Sequence, residues 1–421
     1  MDHGAEMLAA LLVKSMNLGP EWTVVGSEFR EVDGGKDELH VYLSRTPGHA
    51  VPCPVCGRPS GVYDTRPREW RHLDVWQFKT IVHLDLPRVD CPECGVHAAK
   101  VPWEGGSAHF TALFEAQALA MLMAGMTVSG AARVLDEHDT RLWRMVVGAV
   151  AEARALADFS GVSCVGVDET SRRRGHNYLT CFVDAERRRV LFATEGKDAS
   201  TVAAFAEDLA AHGGDPAKVS VVTCDMSPAF EAGVRESLPN AERVVDRFHV
   251  MQPFSKAIDE VRVAESRESG EKRALLSRTR YVWLKNEGSL TERQRAKKES
   301  LSRRRLKTGR ACAMRESMQD VYASQTRPEA KGRLDALTSW MMHSRLEPMK
   351  KVARMLREHE TEILNYFDHR CTNAILEGLN SMVQSAKRAA RGYRNTEYFK
   401  AIIYLRLGKL PFPVLEKCAT H

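Results

Sequence analysis

The chain has 421 residues, too many for one ordinary hydrophobic core, so roughly two to four domains are expected. With 43% hydrophobic residues it can fold, which excludes wholesale disorder, and a net charge of +6 with a pI near 8.7 is too mild to be informative unless the charge is concentrated somewhere. No apolar run approaches the roughly 18 residues needed to cross a bilayer, so no membrane partner is expected.

The first residues, Met1 to Glu6, lack the basic start of a secretory signal. A cytoplasmic location is therefore expected, with the ten cysteines reduced. Residues 5–16 read as a short helix. Trp22–Phe29 and Leu39–Leu43 read as strands joined in a hairpin across Asp33-Gly34-Gly35. Trp70–Asp85 alternates like a two-stranded ribbon. The period becomes helical from Thr111 to Leu156, with helices predicted over Leu113–Ala124, Val128–Leu135 and Arg141–Ala155.

Strands are then predicted at Cys164–Asp168, Tyr178–Asp184, Val190–Thr194, Val219–Cys224 and Arg243–Asp246, with helices at about 199–211 and 228–237. Tight turns followed by helix-linked strands suit a mixed α/β sheet. Ser227 reads as the N-cap of the helix that begins at Pro228. After His249 the chain reads as helical and highly charged, up to an amphipathic helix over Thr372–Arg391. The apolar spacing of Met341, Leu346, Val352, Met355 and Leu356 is read as packing within this region rather than as a dimer zipper.

Two cysteine pairs stand out, Cys53/Cys56 and Cys91/Cys94, each spaced C-x-x-C and each followed by glycine, Gly57 and Gly95. Two such thiolate pairs complete a closed tetrahedral site for a structural Zn2+. A redox motif would need only one pair. His72, His83 and His97 lie nearby but are not needed as ligands. Cys164, Cys181 and Cys224 read as small buried thiols, and Cys312, Cys371 and Cys418 show no partner spacing.

The three short helices fit a helix-turn-helix, with Thr140–Val147 as recognition helix and Arg141 and Arg144 as its DNA contacts. Three acids draw attention next. Asp168 and Asp225 each end an apolar strand, and Glu377 shares the polar face of the last helix with Asn380, Ser381, Gln384 and Arg388. Phosphoryl transfer on DNA uses hard oxygen ligands that hold two magnesium ions about 4 Å apart. Spacing alone leaves open that these acids are solvated or capping residues.

The run Asp225-Met-Ser-Pro-Ala-Phe, Leu238-Pro-Asn-Ala and Asp246-Arg-Phe-His249-Val resembles the insertion-sequence transposases of the ISL3 family. So do Thr372-Asn-Ala-Ile-Leu-Glu377-Gly-Leu-Asn380-Ser, Lys387-Arg388, Arg391-Gly-Tyr-Arg-Asn395 and Arg280-Tyr-Val-Trp-Leu-Lys-Asn286 with Leu290-Thr-Glu. The resemblance covers nearly the whole chain. It implies an α+β multidomain protein in which a zinc ribbon and helix-turn-helix precede a ribonuclease-H-like core, itself interrupted by a long all-helical insertion. The expected division is 1–50 for the helix and hairpin, 51–106 for the zinc ribbon and 107–160 for the helix-turn-helix. The core then takes 161–253, the insertion 254–368 and the last part of the core 369–421.

The resemblance also implies a DDE triad of Asp168, Asp225 and Glu377 holding two Mg2+ ions, with Mn2+ as a substitute. The implied partner is double-stranded DNA, at the element's inverted repeats and at the target. The protein would act in the bacterial cytoplasm on the nucleoid, as a homodimer or higher oligomer. His249, beside Asp246, is a further catalytic candidate, in reach of the scissile phosphate or a metal-bound water. Where some members carry lysine, this chain has Met382 and Gln384, so phosphate contact passes to Lys387 or Arg388. The basic stretch Arg293–Arg310, with Arg303, Arg304 and Arg305 at its centre, is expected to follow phosphates. A non-catalytic DNA-binding regulator and a metal-dependent nuclease that never rejoins strands are the competing readings.

Overall fold

The computed structural model describes residues 3–107, 109–173, 177–371 and 374–419, and their side chains except at residues 3–8, 171–173, 177, 374, 375, 377 and 419. Thr372 and Asn373 of the quoted motif lie outside the described residues, as does the side chain of Glu377. Contacts divide the chain into two units, Met1–Ala157 with Ala386–His421, and Asp158–Ser385. Among the described residues no helix is long and apolar enough to cross a membrane.

The first unit opens with α1 (His3–Ser15), β1 (Trp22–Arg30) and β2 (Glu38–Arg45), the two strands forming the expected antiparallel hairpin. Then come β3 (Val51–Pro52), β4 (Pro59–Arg71), β5 (Lys79–Cys91) and β6 (Gly95–Ala98). Hairpin and ribbon, separate in the sequence reading, share one sheet because β2 runs parallel to β5 from Glu38↔Lys79 to Leu43↔Leu84. Alternation along those strands buries Leu39, Val41 and Leu43 with Val82, Leu84 and Leu86. Trp103 meets Trp22 and Trp70 edge-on at 5.5 and 5.8 Å, and Cys53 and Cys91 join the same core.

The helical trio follows as α2 (Ala112–Met123), α3 (Val128–Leu135) and α4 (Asp139–Ala155). Thr111, Thr127 and His138 cap their N-termini by accepting from Phe114 N, Gly130 N and Thr140 N. Buried Arg71 fastens this trio to the sheet. Its guanidinium donates to the Leu135 carbonyl at 3.0 Å, stands 3.7 Å from Glu137 and lies 5.2 Å from the Phe114 ring centroid.

The second unit carries β7 (Cys164–Arg173), β8 (Asn177–Asp184), β9 (Arg189–Glu195), α5 (Ala199–Ala211), β10 (Val221–Cys224), α6 (Pro228–Ser237) and β11 (Glu242–Val245). The sheet order is β11-β10-β7-β8-β9. The hairpin-linked strands β7, β8 and β9 are antiparallel, whereas β10 and β11, reached through α5 and α6, run parallel to β7. Ser227 is the N-cap residue of α6, but its side chain makes no capping hydrogen bond.

Eight helices come next: α7 (Arg247–Ser266), α8 (Gly270–Leu276), α9 (Arg280–Leu284), α10 (Glu292–Ser302), α11 (Lys307–Tyr322), α12 (Arg327–Met342), α13 (Glu347–Glu358) and α14 (Glu360–His369). They surround a core that includes Phe254, Trp283, Met314, Met341, Leu346, Val352 and Leu356, with Met355 packed at its margin. The apolar spacing expected to pack internally does so. α15 (Ala374–Ala389) then carries Glu377. The last helices, α16 (Thr396–Leu407) and α17 (Pro413–Ala419), were grouped with the core in the sequence reading but belong to the first unit. Arg406 of α16 donates to the Leu122 and Met126 carbonyls at 2.9 and 2.8 Å, closing the end of α2.

Two buried groups in the second unit give direct tests. The Glu265 carboxylate, 1% exposed, accepts from Lys307 N at 2.9 Å and from Thr308 N and Oγ1 at 2.8 Å, so it supplies the N-terminal cap that α11 lacks locally. Glu265→Ala is expected to lower the unfolding free energy by about 3 kcal/mol, measured by urea denaturation, because two buried amides lose a charged partner. The Cys164 and Cys371 thiols lie 3.0 Å apart, a pairing that sequence spacing gave no sign of. Hydrogen bonding from Cys164 holds the Cys371 thiol down to about 7. Alkylation of Cys371 by iodoacetamide is expected to rise through pH 7, and Cys164→Ala to move that midpoint upward. An unmoved midpoint would show that the contact does not set the thiol's acidity.

Candidate functional site

Parallel register gathers acids at one edge of the second unit's sheet. Thr223 pairs with Gly166, so two residues further on Asp225 falls opposite Asp168. Cys224 pairs with Val245, so one residue further on Asp246 falls opposite Asp225. The Asp246 amide donates to the Cys224 carbonyl at 3.0 Å, which extends that ladder. Side chains of like position on neighbouring parallel strands share one edge, so three carboxylates on three adjacent strands face the same space.

Asp168 is largely enclosed. Burial pushes its carboxyl above the ordinary range, and Asp246 adds repulsion. The Glu169 amide, His249 and Asn380 pull the other way. The Glu169 amide donates to Oδ1 and Asn380 Nδ2 donates to Oδ2, both at 2.8 Å. Asp225 Oδ1 accepts from Ser227 N at 2.9 Å, so this acid also shapes the turn into α6.

α15 reaches the same place. Gly166 on β7 has no Cβ, and one placed there would sit 2.6 Å from Leu376 Cδ1, so the helix lies directly on the strand. Further along α15, Asn380 binds Asp168, its Oδ1 accepts from Thr170 Oγ1 at 2.9 Å, and Gln384 donates to the same hydroxyl. Glu377 lies three residues before Asn380 on α15. Gln384, a position where some members carry lysine, is thus tied to the strand here.

Two neighbours complete the group. His249, in the first turn of α7, holds Nε2 3.9 Å from Asp246 Oδ2, while Asp246 caps that helix by accepting from Phe248 N at 3.1 Å. Glu169 was missed in the sequence reading. Burial and then the charge of Asp225 push its carboxyl up, and Lys197 opposes them. Its adjacency to Asp168 was the available signal. Oxygen donors that raise one another's proton affinity are the chemistry of a site for a hard divalent cation. Among the described residues, however, only the four cysteines bring three or more ligand atoms within 4.8 Å of one another, so these acids stand further apart.

Cys53, Cys56, Cys91 and Cys94 form that cluster, all four sulfurs mutually within 4.8 Å. Gly57 and Gly95 adopt φ of +74° and +81°, which turns each knuckle towards the metal position. The amides of Glu93 and Cys94 hold the Cys91 thiol down to about 6, whereas hydrogen bonding to Cys56 and burial push Cys94 up to about 12. Four sulfurs this close cannot all ionise without a cation, and the S4 donor set fits a structural Zn2+. None of the three nearby histidines joins it. His97 Nε2 bonds the Cys94 carbonyl at 2.7 Å, His72 meets Thr111 at 2.9 Å and His83 meets His40 at 2.7 Å.

The expected DNA contacts divide. Arg141 is bonded to Glu137 at 2.8 Å and lies 4.9 Å from the Phe110 centroid, whereas Arg144 is exposed. Arg303 pairs with Glu299 at 2.7 Å and Arg304 with Glu271 at 3.6 Å, while Arg305 is exposed. Lys387 and Arg388 occupy the last turn of α15. The cysteine cluster yields a test. Purified protein should contain about one zinc per chain, and Cys53→Ser or Cys56→Ser should remove it, as read by elemental analysis. Metal-free wild type that keeps its thermal midpoint would contradict a structural role.

Comparison with known proteins accords with this layout. Residues 165–403 match the family described as Transposase, the DDE group of ISL3 elements. Residues 49–94 match the zinc-finger of transposase IS204/IS1001/IS1096/IS1165, and residues 99–150 match the helix-turn-helix domain of transposase family ISL3. The chain is similar to the transposase for insertion sequence element IS1557 of Mycobacterium tuberculosis, 29% identical over 90% of this chain and 91% of that protein. It is also similar to the transposase for insertion sequence element IS1001 of Bordetella parapertussis, 27% identical over 93% of this chain and 97% of that one. The chain belongs to the ISL3 family of insertion-sequence transposases.

Proposed function

We propose that this chain is a catalytically active DDE transposase that binds the inverted-repeat ends of its insertion sequence and cuts and joins DNA strands by metal-dependent phosphoryl transfer. The observation that carries this reading is the register that sets Asp225 opposite Asp168, with the helix of Glu377 packed on the same strand at Gly166. The strand order β9-β8-β7-β10-β11, with an antiparallel trio followed by two parallel strands, supports a ribonuclease-H-like core into which α7 to α14 are inserted.

Mg2+, or Mn2+ in its place, would be held by Asp168, Asp225 and Glu377 and would supply activation of the attacking hydroxyl and stabilisation of the leaving oxygen. The chain's own groups prepare that site. Asn380 and the Glu169 amide fix the two oxygens of Asp168 and leave each a further lone pair for a cation. His249 stands at the N-terminal turn of α7, where helix amides favour a phosphate. Two element ends must be held together, so the working form is a homodimer or larger assembly on DNA, in the bacterial cytoplasm at the nucleoid.

Asp168→Asn and Asp225→Asn are each expected to reduce Mg2+-dependent cleavage of an end-containing duplex by at least roughly a hundredfold. Binding of that duplex should change little. Cleavage that persists in Asp225→Asn would remove the triad assignment, and cleavage without strand joining in wild type would leave the nuclease reading.

A further inference from the structure

The first unit holds a cleft of about 830 Å³ between the start of α3 and the chain segment that follows α15. Arg133 of α3, Trp143 of α4 and, further along the chain, Arg391, Tyr393, Arg394 and Tyr398 line it. None of the described residues lining it is acidic, so three guanidinium groups border the space with no carboxylate among them.

The cleft has a built aromatic wall. Trp143 and Tyr398 stack with centroids 4.1 Å apart at an interplanar angle of 5°, and Tyr393 meets Trp143 edge-on at 6.2 Å. The chain turns into the cleft through a left-handed pair, Arg391 at φ 55° and Gly392 at φ 93°. Amides of both bond back to Arg388 and Lys387 carbonyls at 3.0 and 2.8 Å. A bulky residue held in the left-handed region costs about 1 kcal/mol or more, and such positions concentrate where a side chain must be aimed. The first turn of α3 contributes Ser129 and the capped end of the helix.

Guanidinium groups beside an aromatic wall and a helix N-terminus match the sugar-phosphate backbone of nucleic acid. We infer that this cleft grips a DNA strand of the element end beside the helix-turn-helix, through Arg133, Arg391 and Arg394. The segment beyond the Glu377 helix then serves DNA binding rather than the catalytic core. This inference rests on the reading of the chain as a DNA-end-binding transposase. Phosphate gripping is independent of base sequence, so the cleft sets affinity and placement while another surface reads bases.

The test uses the full chain and fluorescence anisotropy with two labelled duplexes, one carrying the terminal repeat and one scrambled, over about 50–300 mM KCl. Arg391→Ala and Arg133→Ala are each expected to weaken both duplexes by roughly tenfold and to make the salt dependence shallower by about one charge. Arg391→Lys should recover most of the slope, and zinc content with thermal midpoint would confirm that each variant is folded. Unchanged affinity and slope in folded Arg391→Ala and Arg133→Ala would overturn the inference and leave the transposase reading intact. Displacement of the duplex by millimolar deoxyadenosine monophosphate or inorganic phosphate, with no effect of either variant, would also overturn it. Wild type that binds neither duplex would sink both readings.

Discussion

The close approach of α15 to β7 at Gly166 is the constraint on which the candidate active site depends. Leu376 occupies the space a β-carbon would need, so any larger residue at 166 must lift the helix from the sheet. With the helix seated, Asn380 reaches Asp168, and Gln384 and Asn380 share the Thr170 hydroxyl. Glu377 lies on the same helix, three residues before Asn380. Strand register supplies the other half of the geometry, because Asp225 and Asp246 each follow the last paired residue of a parallel strand. An acid one residue earlier or later would face away from the site.

Many of the cations expected to meet DNA are paired with acids. Arg141 is held by Glu137, Arg303 by Glu299, Arg304 by Glu271 and Lys298 by Glu287 and Glu316. Exposed pairs of this kind add little stability, but they neutralise the cations that a count along the sequence would assign to DNA. Net charge and basic runs are therefore poor guides here. The arginines that border a cleft without acids are few and come from distant parts of the chain.

The first unit combines a thin sheet with short helices, and its cohesion comes from a few concentrated contacts. Trp103 against Trp22 and Trp70 fills the core beside Cys53 and Cys91, so the zinc position and the apolar core support one another. Arg71 is buried with Glu137, and a lone cation there would be costly to desolvate. Glu137 is thus shared by two arginines, buried Arg71 and the more exposed Arg141.

Much was legible without coordinates. Alternation and helical period located the hairpin, the helical trio and the five strands of the second sheet, and α5 and α6 fall at the predicted positions. The cysteine spacing defined the metal ligands, because C-x-x-C knuckles are local and need no distant partner to be recognised. The resemblance carried the three acids, which spacing alone left undecided. Tertiary structure decided what depends on contacts between residues far apart in the chain. It joined the hairpin to the ribbon through β2 and β5, and it brought Cys164 to Cys371. It added Glu169 to the acids and paired Arg141 with Glu137. It also grouped the last helices with the first unit. Sequence periodicity fixes which face of an element is apolar, but not which other face will cover it, and that choice is made only when the whole chain packs.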